Sequence, residues 1–125
     1  YAAEREQFGQ SLSEFQGLRW KLADMARDLE SARTLTYRAV SNAVENEEPP
    51  DRLETSLAKL ESAVVAERVV SESLQIFGAA GYMKDHALEY LYRLQRGRRL
   101  AAGTDEMMKN GIADLILKDG LPELF

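Results

Sequence analysis

Apolar positions recur at steps of three and four along this chain, over long stretches that hold neither glycine nor proline. None of either occurs from Leu18 to Glu48, nor from Asp51 to Phe77. Strand proteins rarely run that far without a turn residue. In the first stretch Phe15, Leu18, Leu22, Met25, Leu29, Ala32, Thr36, Ala39 and Ala43 fall on one face of a helix. Ser13-x-x-Gln16 matches a capping box, so the pattern predicts a helix from about Glu14 to Val44, on the order of 45 Å long. Glu45 to Pro50 is an acidic, proline-stopped turn, and Asp51-x-x-Glu54 matches a second capped start. Leu53, Leu57, Leu60, Val64, Val70, Leu74 and Phe77 give the second stripe. Two long helices joined by so short a turn pack antiparallel.

Gly78-Ala79-Ala80-Gly81 ends the second helix, and a shorter one is predicted from about Ala87 to Arg99. The last starts near Thr104, a good N-cap, and runs to about Lys118, with Gly120 and Pro122 as its stop. The pattern therefore predicts an all-α, up-and-down bundle of the four-helix type. Two long and two short helices leave one side open. Tyr1 to Glu6 reads as the end of a further helix, so the opening helix is largely missing. Its absence exposes an apolar groove that a partner chain is expected to fill. Tyr at position 1, in place of Met, makes the chain read as a piece of something longer.

Composition narrows the chemistry. Length, at 125 residues, fits one domain able to bury roughly two thirds of its unfolded surface. With no cysteine, thiol catalysis, zinc ribbons and disulfide scaffolds are excluded, and a single histidine excludes a multi-histidine metal site. Lys and Arg number 16 against 21 Asp and Glu, a formal charge of −5, which argues against a general nucleic-acid binder. No apolar run approaches the ~18 residues of a membrane span, and the charged start lacks the apolar core of a signal peptide.

Four constellations carry candidate chemistry. Gly78-Ala79-Ala80-Gly81-Tyr82 is either a helix C-cap and turn or a loop whose N–H groups reach a phosphate. Arg93, Arg96, Arg98 and Arg99 are either a solvated face or a site for phosphate or an acidic partner. His86 reads as a cap or surface residue; with Met83 three positions before it and no second His, it does not belong to a di-iron pair. Gly103-Thr104-Asp105-Glu106 opens a helix whose free N–H groups suit either the acids themselves or an anionic ligand.

In register, these pieces resemble the C-terminal domain of the acyl-CoA dehydrogenase family. Arg5-Glu6-Gln7-Phe8-Gly9, then Phe15-Gln16, then Lys21-Leu22-Ala23-Asp24-Met25 are similar to its R-x-x-F-G, F-Q and K-L-A-D-M. Gln75 to Tyr82 resembles its Q-x-x-G-G-x-G-Y turn, and Tyr92-Arg93 with Gly103-Thr104-x-Glu106 its Y-R-D and Y-E-G-T-S-E segments. The resemblance covers almost the whole chain, residues 1–125. It implies a flavoenzyme, usually a homotetramer, with FAD lying between domains and across a subunit interface. The N-terminal helical and middle β domains of such a subunit are not in this sequence.

By this resemblance Arg5 would bind the diphosphate or ribose of a neighbouring subunit's FAD, with Gln7 and Phe8 beside it and Phe8 packing on the adenosine part. Gln16 completes that contact, and Gln75 with the backbone at Ala79 meets the same dinucleotide, Ala79 standing where the family usually has Gly. Thr104 and Glu106 would contact the FAD of their own subunit. The family's usual catalytic base, the Glu of Y-E-G-T, is Ala102 here, and a methyl group accepts no proton. No catalytic residue is therefore assigned, and no metal. Either a base lies upstream, or the chain is a non-catalytic FAD-binding or interaction subunit of a heteromer, or the chemistry differs. Arg96, Arg98 and Arg99 also depart from the pattern and are expected at a substrate mouth or subunit contact. The implied partners are an acyl-CoA substrate, an electron-transfer flavoprotein-type acceptor and a homo- or hetero-oligomer. The implied compartment is the cytoplasm, or the mitochondrial matrix in a eukaryote.

Overall fold

The computed structural model describes residues 1–121. Among these a short antiparallel hairpin, β1 (Glu6–Gln7) and β2 (Gln10–Ser11), precedes four helices. The helices are α1 (Gln16–Asn46), α2 (Arg52–Phe77), α3 (Ala87–Arg98) and α4 (Asp105–Asp119). The all-α, up-and-down reading holds. Pairing of Lys21 with Glu72 and of Arg38 with Glu54 sets α1 and α2 antiparallel along their length.

α2 is the central element. Every residue from Leu53 to Glu67 is buried or half-buried, because α1 covers one side while α3 and α4 follow each other along the other. The expected second stripe is thus an all-round burial, and the closest packing falls on Ala58, Ala63 and Val65, residues too small to dominate the pattern. On α1 the expected stripe meets the face toward α2 only in part. Asp28, Ala32 and Ala39 are buried, whereas Leu22 and Leu29 stay exposed. Alanine lets the two backbones approach, and the charged positions are paired across the seam. Asp28 meets Arg68 and Arg27, and Glu54 accepts from Arg38 at 2.9 Å and Asn42 at 2.8 Å.

The caps separate the two capping-box matches. Asp51 accepts from the Glu54 N–H at 2.9 Å, as expected, although the Glu54 carboxylate turns to Arg38 and Asn42 instead of reaching back. Ser13 does not cap α1. Its hydroxyl lies 2.9 Å from that of Ser11, a 3-10 turn over Leu12–Glu14 intervenes, and Phe15 takes the N-cap position without a side-chain bond. α1 accordingly starts at Gln16, and it runs past Val44 to Asn46, closed by Glu47 at φ +53. His86 caps α3, its Nδ1 accepting from the Leu88 N–H at 3.2 Å. Gly120 closes α4 at φ +81; Pro122, expected to share that stop, lies outside the described residues. The expected helix end at Tyr1–Glu6 is a single turn, the Tyr1 carbonyl accepting from the Glu4 and Arg5 N–H groups, and Glu6 already belongs to β1.

The open side is present. Leu29, Val40, Val44 and Tyr37 are exposed along α1, and Leu29, Thr36, Tyr37, Val65 and Ala66 line a shallow groove of about 400 Å³ between α1 and α2.

Candidate functional site

One end of the α1–α2 pair collects most of the expected cofactor residues. The hairpin tip, Phe8-Gly9, takes φ of +55 and +82, the two left-handed positions of a tight two-residue turn. Phe8 pays for this conformation with strain and is 94% exposed, its ring meeting Phe15 edge-on at 6.3 Å. Tyr1 stacks on Phe77 at 4.1 Å and its hydroxyl donates to the Phe77 carbonyl, which ties the N-terminal segment to the end of α2. Lys21 and Glu72 join the same ends of α1 and α2. Arg5, Gln7 and Phe8 on the hairpin, Gln16 at the start of α1, Gln75 in the last turn of α2 and Ala79 in the following 3-10 turn (Gly78–Tyr82) therefore share one end of the molecule. All six are exposed. Arg5 has no carboxylate within ion-pair distance among the described residues, and Gln7 donates only to the neighbouring Glu6 carbonyl at 2.8 Å.

A guanidinium without a carboxylate partner, three carboxamides and the uncapped N-terminus of α1 make a donor-rich surface. An exposed aromatic ring projects beside it. That donor set fits a diphosphate with an attached flat ring system. Glycine has a packing role in the adjoining turn. A Cβ on Gly81 would lie 2.7 Å from the Phe77 Cβ.

Thr104 and Glu106 lie elsewhere. Thr104 caps α4 by accepting from the Met107 N–H at 3.3 Å, and Glu106 is exposed in the first turn. The Glu106 carboxylate is held below its ordinary value, first by its own backbone N–H and then by the Thr104 hydroxyl. Lys59 on α2 donates to the Gly103 carbonyl, so this helix start sits beside the middle of α2. From Lys59 to Gln75 is roughly 24 Å along the helix. The two groups of expected contacts do not form one site within a single chain.

Arg99 fixes the α3–α4 elbow. It donates to Glu67 at 2.6 Å and through Nε to Asp105 at 2.6 Å, and these acids raise its pKa, Glu67 foremost. Asp105 is 4% exposed, and its Oδ1 has no partner among the described residues. Sequence reasoning missed this triad. The signal was Glu67 amid the apolar positions of α2, but its partners lie far along the chain. Three of the four clustered arginines are internally paired. Arg93 holds Glu89 at 2.7 Å, Arg96 faces Glu67 at 3.7 Å and Arg99 is engaged as described. Ala102 itself stands at φ +54 in the elbow and lines a cavity of about 380 Å³ between α2 and α3.

Residues 1–117 match the family model described as "Acyl-CoA dehydrogenase, C-terminal domain". The chain is 39% identical over 123 residues to a 3-sulfinopropanoyl-CoA desulfinase of Cupriavidus necator, covering 98% of this chain and 30% of that relative. It is 39% identical over 118 residues to a short-chain specific acyl-CoA dehydrogenase of Clostridium acetobutylicum, covering 94% and 31%. The structure of butyryl-CoA dehydrogenase from Megasphaera elsdenii superposes with a TM-score of 0.87 at 32% identity, covering 94% of this chain and 30% of that one. The chain thus spans about 30% of the length of the relatives it matches.

Proposed function

The chain belongs to the acyl-CoA dehydrogenase family, matching its C-terminal domain, and we propose that it completes an FAD site and an oligomer interface in a longer protein acting on acyl-CoA thioesters. The observation that carries this reading is the gathering of Arg5, Gln7, Phe8, Gln16, Gln75 and Ala79 at one exposed end, away from Thr104 and Glu106. Such a division suits a cofactor shared between subunits. The first group reaches a neighbour's FAD, and Thr104 with Glu106 the chain's own.

Arg5 presents two N–H groups to the diphosphate or ribose, because a guanidinium fork matches a pair of anionic oxygens. Phe8 packs on the adenosine part, and its exposure in the isolated domain supports a role in contact with something larger. Gln7, Gln16 and Gln75 supply carboxamide donors, and the backbone at Ala79 approaches the same dinucleotide. Thr104 and Glu106 would contact the FAD of their own subunit from the start of α4, a helix N-terminus that favours negative charge. FAD, when bound, would supply the acceptor for a hydride and hand the electrons on to a flavoprotein-type acceptor.

Within this reading the parent reaction is α,β-dehydrogenation of an acyl-CoA, with the α-proton taken by a base outside this chain, since Ala102 stands at the family's usual base position. Ala102 equally favours a second reading, a non-catalytic FAD-binding subunit beside an active partner. A relative named as a desulfinase supports room for other chemistry on the scaffold as well. Anaerobic titration of the full-length flavoprotein with a panel of acyl-CoAs, followed at the visible flavin band, tests these alternatives. Bleaching is the expected result and means that a base lies outside this chain. Bound flavin that never bleaches selects the supporting subunit, and Ala102→Glu should then confer bleaching if only the carboxylate is missing.

A further inference from the structure

The elbow between α3 and α4 leaves one cation without a counter-charge. Arg93, Arg96 and Arg99 each have a carboxylate, and Glu67 is engaged by two of them. Arg98 has no carboxylate within ion-pair distance among the described residues, and it lines the cavity of about 380 Å³ that also holds Ala102. Lys59 faces the same cavity from α2. Its ammonium spends one donor on the Gly103 carbonyl and keeps two. Among the described residues no acid lines this space. Its remaining wall includes Ala63, Ala66 and Ala101, whose methyl groups leave it open and apolar. Gln95, also in the wall, has its Oε1 buried without a donor among the described residues, so turning the amide over to present Nε2 breaks no hydrogen bond of that oxygen seen there.

Arg98 is exposed and Lys59 half-buried at the mouth of this open cavity, and two cations without a carboxylate among the described residues favour an anion there. We propose that this cavity is a subsite for a negatively charged group on the acyl chain, so that the protein selects acyl-CoA thioesters whose acyl part carries a second anion. The inference rests on the reading above, in which Ala102 stands where the acyl group is processed. It adds the substrate class. A side chain as large as glutamate at position 102 would contest the cavity in both bulk and charge, and alanine does neither.

The test compares succinyl-CoA with butyryl-CoA on the full-length, FAD-loaded protein. The two ligands have four acyl carbons each and differ by a terminal carboxylate against a methyl. Binding is measured by calorimetry, with flavin content and melting temperature recorded for every variant. Succinyl-CoA should bind the parent protein about tenfold or more tightly than butyryl-CoA, the size of one charge-assisted hydrogen bond. Arg98→Gln should abolish that preference while changing butyryl-CoA binding less than about twofold, and Arg98→Lys should retain part of it. Loss of affinity that is equal for succinyl-CoA, butyryl-CoA and free CoA would overturn the proposal, because Arg98 would then be reading the CoA phosphates. Equal binding of the two acyl-CoAs by the parent protein would overturn it alone. A protein that binds neither FAD nor any acyl-CoA would overturn the underlying reading too.

Discussion

At the scale of single residues, the two small positions that bracket α3 should respond with opposite sign. Ala102 holds φ +54, a region that costs an L-residue roughly 1–2 kcal/mol. Ala102→Gly relieves that strain but loosens the unfolded chain, so a net gain of about 0.5 kcal/mol is expected in a denaturant melt. A loss of stability there would show that the methyl group packs usefully. Gly81 has no unusual φ, yet its Cβ would sit 2.7 Å from the Phe77 Cβ and 3.4 Å from Leu88 Cδ1. The nearer atom lies next to the backbone and cannot swing aside, so Gly81→Ala should cost about 1–3 kcal/mol in the same melt. The sequence marks Gly78 to Gly81 as a turn, in which Gly78 is needed for its φ of +63, whereas only the close packing on Phe77 shows why Gly81 is needed as well. The base position is legible in the opposite way. Ala102 could be singled out from its motif neighbours, whereas its strain and its cavity depend on where the elbow is pinned.

Among the elements, the helix starts carry the pH dependence. Glu106 in the first turn of α4 has its folded pKa lowered, by its own N–H and by Thr104, and Glu89 in α3 has its pKa lowered chiefly by Arg93. A depressed carboxylate pKa contributes stability above the unfolded value and loses it as pH falls through the folded one. Melting temperature should therefore be insensitive to these two groups at neutral pH and decline below about pH 4.5, and Glu106→Gln should flatten part of that decline. A variant whose acid limb overlays the parent's would sink the assignment. Of the two capping boxes, the pattern located one correctly. Asp51→Ala should cost about 1 kcal/mol by urea unfolding, since the Glu54 N–H loses its acceptor. Ser13→Ala should cost much less, because the Ser13 hydroxyl meets Ser11 and no helix N–H. The motif alone could not separate them, as what displaces Ser13 is the hairpin, which draws the Leu12 N–H to the Arg5 carbonyl at 2.8 Å and pulls residues 12–14 into a tight turn. Period and turn residues set the existence and order of the helices. On α1 the alanines of the seam, Ala32 and Ala39, were legible in the stripe, whereas buried Asp28 was not, because its burial depends on a charge partner on α2.

On the scale of the whole molecule, a central α2 flanked by α1 on one side and by α3 and α4 on the other leaves apolar surface on α1. Tyr37, Val40 and Val44 are 63%, 52% and 71% exposed, a concentration that chains facing only water tend to avoid. The 125-residue chain on its own should therefore self-associate. Light scattering at increasing concentration should show mass above 14.1 kDa, and a Val40→Glu, Val44→Lys double variant should return it toward the monomer. A monomer at high concentration would contradict the exposed face as an interface. The same geometry constrains cofactor binding. The hairpin end and the start of α4 are separated by roughly 24 Å along α2, so one copy offers either set of contacts to an FAD molecule but not both. Each set alone provides a few solvent-exposed hydrogen bonds, individually worth about 0.5–1.5 kcal/mol and opposed by the cost of association. The isolated chain should consequently bind FAD only weakly, and fluorescence titration should show little quenching at micromolar protein. Tight, stoichiometric yellow colour in the purified 125-residue chain would mean that self-association already brings the hairpin of one copy against the α4 start of another. In that case Arg5→Ala should release the flavin without altering the mass seen by light scattering.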